Sequence, residues 1–286
     1  VDSFRNYGQL SKRPLEEMMS GARVDKNKKK KNPLDFALWK ASKEGEPSWD
    51  APFGAGRPGW HIECSAMSTL FLGNPFDIHG GGKDLVFPHH ENEKAQTEAA
   101  TGGKFVNYWV HNGFVNIDRE KMSKSIGNTL LIRDFLKEYH PEVLRLFYLS
   151  NHYRSPVDYN SQSIEDSNIA LYRLYYTRER AAEAQKGKMF ASQSYEMADE
   201  MVRKFNEAMD DDFNTALAIS YIFDLSKDIN RMVDEKDESA VPLIVAAETA
   251  YEYLADTLGL LQDTLESLES QGKSRHLARM GLDVAF

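Results

Sequence analysis

Residues 77–96 read DIHGGGKDLVFPHHENEKAQ, and they decide how the first part of the chain folds. A short strand is predicted at 77–79, ahead of a run of three glycines. Pro88, followed by polar and helix-favouring residues, predicts a helix that begins near His89. A strand, a glycine-rich turn and a helix in this order indicate an α/β fold.

The predicted helix carries two candidate metal ligands. His89 and Glu93 are four residues apart and share one helix face, whereas His90 is turned away by about 100 degrees. A third ligand could be the thiolate of Cys64, because zinc accepts Cys, His and Glu together. A single cysteine is more often a small buried apolar side chain. The metal hypothesis therefore depends on Cys64, His89 and Glu93 meeting in space.

A second motif lies at residues 121–125, which read KMSKS and precede Gly127 and Asn128. Two lysines three residues apart, with hydroxyls between and beside them, can surround a polyphosphate with positive charge and hydrogen-bond donors. Lysine can also stabilise charge that develops as pyrophosphate leaves. The motif indicates an ATP-binding loop in which Lys124 is favoured over Lys121 as the phosphate contact; the alternative is a solvated basic turn.

Composition limits the class of protein. The chain has 286 residues, one cysteine and a formal net charge of −9. One cysteine argues against a disulfide-stabilised secreted protein, and no apolar run reaches the roughly 18 residues of a membrane span. We therefore expect a cytoplasmic protein with no membrane contact, in which local patches carry any nucleic-acid contact. The lysine-rich residues 26–31 are a solvated loop or one such patch.

Three longer stretches extend these motifs: 56–67 read GRPGWHIECSAM, 77–85 read DIHGGGKDL, and 87–93 read FPHHENE. Together with KMSKS they resemble cysteinyl-tRNA synthetase, a class I aminoacyl-tRNA synthetase, from the start of the chain to about residue 265. The resemblance implies ATP-dependent activation of L-cysteine to cysteinyl-adenylate and its transfer to tRNA(Cys). It also implies one zinc ion that binds the cysteine thiol.

The resemblance assigns roles to individual positions. Cys64, His89 and Glu93 match the family's zinc ligands, and Trp60 and His79 match positions that line the amino-acid pocket. A zinc ion there would separate cysteine from serine, since shape alone rejects near-isosteres poorly and a hydroxyl is a far worse zinc ligand than a thiolate.

ATP, expected with Mg²⁺, is the second substrate that the resemblance implies. The glycine run lies beside the adenosine in the family, and Asp84 is a candidate contact for the ribose or the amino group. The catalytic lysines are Lys121 and Lys124. The implied ATP-binding residues are Gly80, Gly81, Asp84, Lys121, Ser123 and Lys124.

The expected fold class is α/β plus all-α, the second half of a Rossmann-like class I catalytic domain followed by a helical bundle. The expected divisions are the end of a connective insertion at 1–56, the Rossmann-like half with the zinc site at 57–117, a KMSKS-loop region at 118–165, a tRNA-supporting bundle at 166–265 and a divergent tail at 266–286. Long amphipathic stretches predict the bundle helices at 164–184, 193–208, 213–233 and 241–262.

Two family features are missing from the sequence. No H-x-G-H motif occurs, and no second cysteine offers the family's further zinc ligand. We therefore expect a segment without the N-terminal HIGH half and the C-terminal anticodon-binding region, in which adenylation is crippled. We also expect a monomer. Two alternatives are a cysteine:amino-sugar ligase of mycothiol synthesis and a non-catalytic zinc- or RNA-binding fragment.

Overall fold

The computed structural model describes residues 1–12, 30–122, 130–189 and 193–270. The chain divides into two compact units, Val1–Asn112 and Gly113–Phe286. Most of the lysine-rich residues 26–31 and most of the KMSKS motif, 123–125, lie outside the described residues. No helix in the described ranges is both long enough and apolar enough to cross a membrane.

The first unit is built around a strand–helix–strand crossover. Helix α1 (Trp60–Leu72) precedes β3 (Phe76–Gly82), and a 3₁₀ turn at Lys83–Leu85 and a π-type turn at Val86–His90 lead into α2 (Glu91–Thr101). β4 (Val106–Asn112) then pairs with β3 in parallel, as expected for two strands joined through a helix. Two shorter strands before α1, β1 (Trp39–Ala41) and β2 (Gly56–Pro58), pair antiparallel.

Strand β3 is longer than the sequence predicted, because it continues from residue 79 through all three glycines. The expectation that the glycines form a turn after the strand is therefore wrong. Gly81 shows the physical reason: a Cβ at this position would lie 2.7 Å from Cε1 of His90. Glycine lets the strand run directly against that ring.

The second unit begins with a small sheet. β5 (Val115–Ile117) pairs in parallel with β7 (Val157–Tyr159) and antiparallel with β6 (Glu120–Lys121). Between β6 and β7 lie α3 (Ile132–Phe135) and α4 (Pro141–Leu149). Residues 132–149 are thus helical at both ends and interrupted between Phe135 and Pro141. His140 precedes Pro141 and is extended (φ −63°, ψ 143°), as expected for a residue before proline.

The helical bundle confirms the amphipathic pattern. Its long helices are α5 (Ser161–Gln185), α6 (Glu196–Asp210), α7 (Thr215–Glu235) and α8 (Val241–Thr257), with the short α9 (Leu265–Ser270) after them. The core contains the fully buried side chains Leu171, Tyr175, Phe205, Ile222 and Tyr251. Asn214 caps α7 by accepting a hydrogen bond from the backbone N–H of Leu217, a role that asparagine commonly takes at helix starts.

A buried carboxylate ties the end of the bundle to α4. Glu142 accepts hydrogen bonds from the backbone N–H groups of Leu261 (2.8 Å) and Gln262 (2.9 Å) and from the hydroxyl of Tyr175 (2.9 Å). Glu142 lies in the first turn of α4, where the helix dipole favours negative charge. One side chain therefore satisfies two backbone donors about 120 residues further along the chain.

Candidate metal and substrate site

Three side chains of the first unit meet between α1 and α2. Sγ of Cys64 lies 3.6 Å from Nε2 of His89, and the same nitrogen lies 2.5 Å from Oε1 of Glu93. All three ligand atoms lie within 4.8 Å of one another. The structure thus brings together the thiol, imidazole and carboxylate that the sequence singled out. Cys64 precedes His89 by 25 residues and Glu93 by 29.

These distances suit a tetrahedral zinc ion. With ordinary bond lengths, zinc would hold a sulfur and a nitrogen about 3.6 Å apart and a nitrogen and an oxygen about 3.4 Å apart. The Cys64–His89 distance of 3.6 Å already has this value. The His89–Glu93 contact of 2.5 Å is shorter, so binding would require a small outward rotation of the carboxylate.

The buried carboxylate of Glu93 provides a further argument for a bound cation. Its side chain is fully buried, and neither carboxylate oxygen makes a hydrogen bond of good geometry among the described residues. Nitrogens of His89 and His79 lie at ion-pair distance, the latter 2.8 Å from Oε2, but off the hydrogen-bond direction. A buried carboxylate without full hydrogen bonding is costly unless a positive charge accompanies it, which supports metal binding here.

A second group of candidate ligands shares Glu93. It contains His79, His90 and Glu93, again with ligand atoms within 4.8 Å of one another. The His79 and His90 rings meet edge to face with centroids 4.6 Å apart, and Nδ1 of His90 lies 2.8 Å from Nε2 of His111. His79 therefore borders the candidate metal group and contacts Oε2 of Glu93, whereas His89 contacts Oε1.

Two aromatic residues of α1 fix the ring of His89. Trp60 stacks on it with centroids 4.1 Å apart and an interplanar angle of 21°, and half of the Trp60 surface stays exposed. His61 places its Nδ1 atom 2.8 Å from Nδ1 of His89. The ring nitrogen that does not face Cys64 therefore has a partner, as is usual for a metal-binding histidine.

Burial controls protonation in this group. It lowers the pKa of His61 to about 4, with the neighbouring His89 adding to the effect, and it lowers the pKa of His90 to about 4 as well. Burial, helped by Glu93, raises the pKa of the Cys64 thiol to about 11. Burial opposes ionisation of Glu93, yet His79, His89 and His90 hold the pKa of Glu93 below its ordinary value.

The sequence-predicted ATP residues are only partly described. Gly80 and Gly81 lie in β3, and Asp84 lies exposed in the following 3₁₀ turn. Lys121 belongs to the backbone of β6 in the second unit. Ser123 and Lys124 lie outside the described residues, and the assignment of all of these positions to ATP stays a prediction.

Sequence reasoning missed His61 and His111. The spacing could have indicated His61. Trp60 and His61 precede Cys64 by four and three residues, so all three share one face of α1. His111 gave no such local signal. It reaches His90 only because β4 pairs with β3 in a register that sets His111 beside Gly81.

The fold and these residues define the class of protein. Residues 1–169 match the family model described as tRNA synthetases class I (C) catalytic domain, and residues 204–262 match the DALR domain. Because the first match covers more than half of the chain, the chain belongs to this family of class I tRNA synthetases.

Three curated relatives narrow the family further, and each carries the name cysteine–tRNA ligase. The relative from Syntrophobacter fumaroxidans is 50% identical over 301 residues, covering 100% of this chain and 61% of the relative. The relative from Geobacter sulfurreducens is 50% identical over 290 residues, covering 100% and 60%. The relative from Syntrophotalea carbinolica is 57% identical over 236 residues, covering 82% and 49%. These matches confirm the resemblance to cysteinyl-tRNA synthetase, and the chain spans about half to three fifths of each relative.

One solved structure supports the fold. It is the LeuRS of a crystallised ternary complex of LeuRS, tRNA and LeuAMS from Agrobacterium radiobacter K84. The similarity has a TM-score of 0.52 at 15% identity and covers 80% of this chain and 35% of that one. It confirms the predicted combination of a class I catalytic fold with helices.

Proposed function

We propose that the chain carries the cysteine-selecting site of a cysteine–tRNA ligase, which activates L-cysteine with ATP and transfers it to tRNA(Cys). The observation that carries this proposal is the meeting of Cys64, His89 and Glu93 within 4.8 Å. The names of the curated relatives, each longer than this chain, point to the same reaction for the whole protein.

One zinc ion would be held by Sγ of Cys64, Nε2 of His89 and a carboxylate oxygen of Glu93. When bound by three protein ligands, zinc supplies an open position that accepts a thiolate in preference to a hydroxyl. The chain's own residues prepare this site: His61 accepts the Nδ1 proton of His89 and so leaves Nε2 free to bind metal, and Trp60 holds the ring in place.

The pocket's selectivity follows from this arrangement. Cysteine and serine differ by one atom, and a pocket that recognises shape alone discriminates such pairs poorly. His79 contacts Oε2 of Glu93, and Oε1 faces His89. Trp60, half exposed beside His89, offers a surface for the bound amino acid.

ATP would be bound as its Mg²⁺ complex by residues of two motifs. The glycine-containing end of β3, with Gly80 and Gly81, would approach the adenosine, and Asp84 would contact the ribose or the amino group. Lys124, assisted by Lys121 and Ser123, would stabilise the departing pyrophosphate. The amino acid and ATP react directly once positioned, so no covalent enzyme intermediate is required.

The bundle helices would support the tRNA. Residues 204–262, which cover the end of α6 and all of α7 and α8, match the DALR domain. The monomeric state and the cytoplasmic location stay predictions.

The test is cysteine-dependent exchange of pyrophosphate into ATP by the complete gene product, with zinc content measured on the same samples. We expect exchange with cysteine and none with serine. Cys64→Ala should lose both stoichiometric zinc and at least 100-fold of the exchange rate, by analogy with the loss of a main electrostatic group. Met67→Ala, at a residue of the same helix that is 53% exposed, is the matched control. Equal exchange with serine, or zinc retained by Cys64→Ala, would contradict the proposal.

A further inference from the structure

The residues between the candidate ligands hold a distant segment of the chain. The carboxylate of Glu91 accepts hydrogen bonds from the backbone N–H groups of Gly8 and Ser11, both at 2.8 Å. Next to it, Oδ1 of Asn92 accepts a hydrogen bond of 2.5 Å from the hydroxyl of Tyr7. We refer to these five residues as the clasp.

Glu91, the charged residue of the clasp, lies on the opposite side of α2 from the candidate ligands. At about 100 degrees per residue, Glu91 is turned about 160 degrees from both His89 and Glu93. Glu91 is fully buried and Asn92 is 2% exposed. The first turn of α2 is thus held on both faces, by the ligand group on one side and by the clasp on the other.

Several features make the clasp a firm support. Glu91 lies in the first turn of α2, where the helix dipole favours negative charge. Its two oxygens each accept a backbone donor, so the buried charge is satisfied. Tyr7, Leu34 and Ala95 form a small apolar cluster beside it. Removing the carboxylate would leave two backbone donors without their partner.

We propose that Glu91 is a positioning residue for the metal site, which holds the first turn of α2 so that His89 and Glu93 face Cys64. Glu91 touches no candidate ligand atom and acts through the helix. Asn92 and Tyr7 contribute to the same support. The proposal rests on the proposed function, because it takes Cys64, His89 and Glu93 as the metal ligands.

The test compares zinc affinity, measured by chelator competition, between two matched substitutions. Glu91→Gln replaces one carboxylate oxygen with an NH2 group, which cannot accept a hydrogen bond from a backbone N–H. We expect its zinc Kd to rise about tenfold, the lower end of the effect of supporting residues at metal sites. The visible spectrum of the Co²⁺ form should change in band position as well. Glu142→Gln makes the same change in the second unit, where the carboxylate also holds two backbone donors, and should leave the zinc Kd unchanged.

A less disruptive substitution tests the proposal if Glu91→Gln does not fold. Tyr7→Phe removes only the hydroxyl that Asn92 accepts, and we expect a rise of the zinc Kd of about threefold, smaller than that of a lost charged support. If Glu91→Gln folds and keeps the wild-type zinc Kd, the proposal is overturned. If Glu91→Gln does not fold, a wild-type zinc Kd in Tyr7→Phe overturns it. An equal rise in Glu142→Gln would overturn it too, because the effect would then be one of general stability.

The wild-type protein separates this proposal from the proposed function. If the wild type binds no zinc, or if Cys64→Ala binds it equally well, the metal site itself is wrong and the role of Glu91 falls with it. If the wild type binds zinc through Cys64 and the clasp variants keep its affinity, only the role of Glu91 is overturned.

Discussion

Nδ1 of His61 lies 2.8 Å from Nδ1 of His89, whose Nε2 atom faces Sγ of Cys64 at 3.6 Å. The contacts therefore run from His61 through His89 to Cys64, so a hydrogen bond to His61 can set the tautomer of the imidazole that meets the thiol. Burial lowers the pKa of His61 to about 4, so His61 is neutral near pH 7 and its Nδ1 can accept a proton from His89.

This relationship predicts a supporting role for His61. His61→Leu removes the acceptor and should raise the zinc Kd about 10- to 100-fold. His61→Asn has the same shape as leucine but restores an acceptor close to the former Nδ1 position, so it should recover much of the affinity. Chelator competition measures both constants. Equal affinities for the Leu and Asn variants would show that the hydrogen bond has no role.

Gly81 should tolerate no side chain. A Cβ there would lie 2.7 Å from His90 and 3.1 Å from Leu85, so Gly81→Ala should lower the free energy of unfolding of the first unit by about 1–3 kcal/mol, as overpacking does. Gly80→Ala is the matched control in the same strand, since its nearest neighbour would be Val110 O at 3.7 Å. Urea unfolding compares the two. A control as unstable as Gly81→Ala would contradict the packing argument.

The bundle core predicts a contrast between two phenylalanines. Phe205 is fully buried, whereas Phe213 is 52% exposed. Phe205→Ala should lower the free energy of unfolding of the second unit by about 3–5 kcal/mol through the cavity it leaves, and Phe213→Ala should change it by no more than about 0.5 kcal/mol. Denaturant unfolding followed by circular dichroism measures both. Similar losses at the two positions would contradict the buried core.

Asp212 should make the second unit sensitive to acid. Hydrogen bonds from Arg154, and then from Tyr153, lower the pKa of Asp212 from 3.8 to about 2. Because the folded-state pKa is depressed, the contribution to stability is complete above 3.8. It is lost as the pH falls toward 2, where the unfolded chain takes up the proton first.

An NMR titration of the Asp212 carboxyl carbon checks this directly. We expect a midpoint near 2 in the wild type and a clear upward shift in Arg154→Met, with a smaller shift in Tyr153→Phe. Stability of Asp212→Asn should also depend less on pH across the same interval. A wild-type midpoint at 3.8 or above would show that the ion pair does not persist in solution.

Local patterns predicted much of the fold and of the site. The helices of the bundle follow from apolar periodicity, and the i and i+4 spacing of His89 and Glu93 put both on one helix face. The helix break at His140 could also have been predicted from the sequence, because a residue before proline avoids the helical region. The extension of β3 through its glycines could not, since it depends on the ring of His90 packing against Gly81.

Local sequence patterns could not predict the long-range hydrogen bonds of the two buried glutamates. Glu91 binds backbone groups about 80 residues earlier in the chain, and Glu142 binds groups about 120 residues later. The sequence near either glutamate does not indicate these partners, because every residue except proline has a backbone N–H and the contact leaves no pattern of residue types. Such contacts follow only from the packed tertiary structure.

The most direct test of the account uses Co²⁺ in place of zinc, since a Co²⁺–thiolate bond gives a charge-transfer absorption band. We predict one such band that depends on Cys64, an increase in its intensity when L-cysteine is added, and no increase with L-serine at the same concentration. A band that persists in Cys64→Ser, or a spectrum that cysteine and serine change alike, would contradict the claim that this site selects cysteine through a metal.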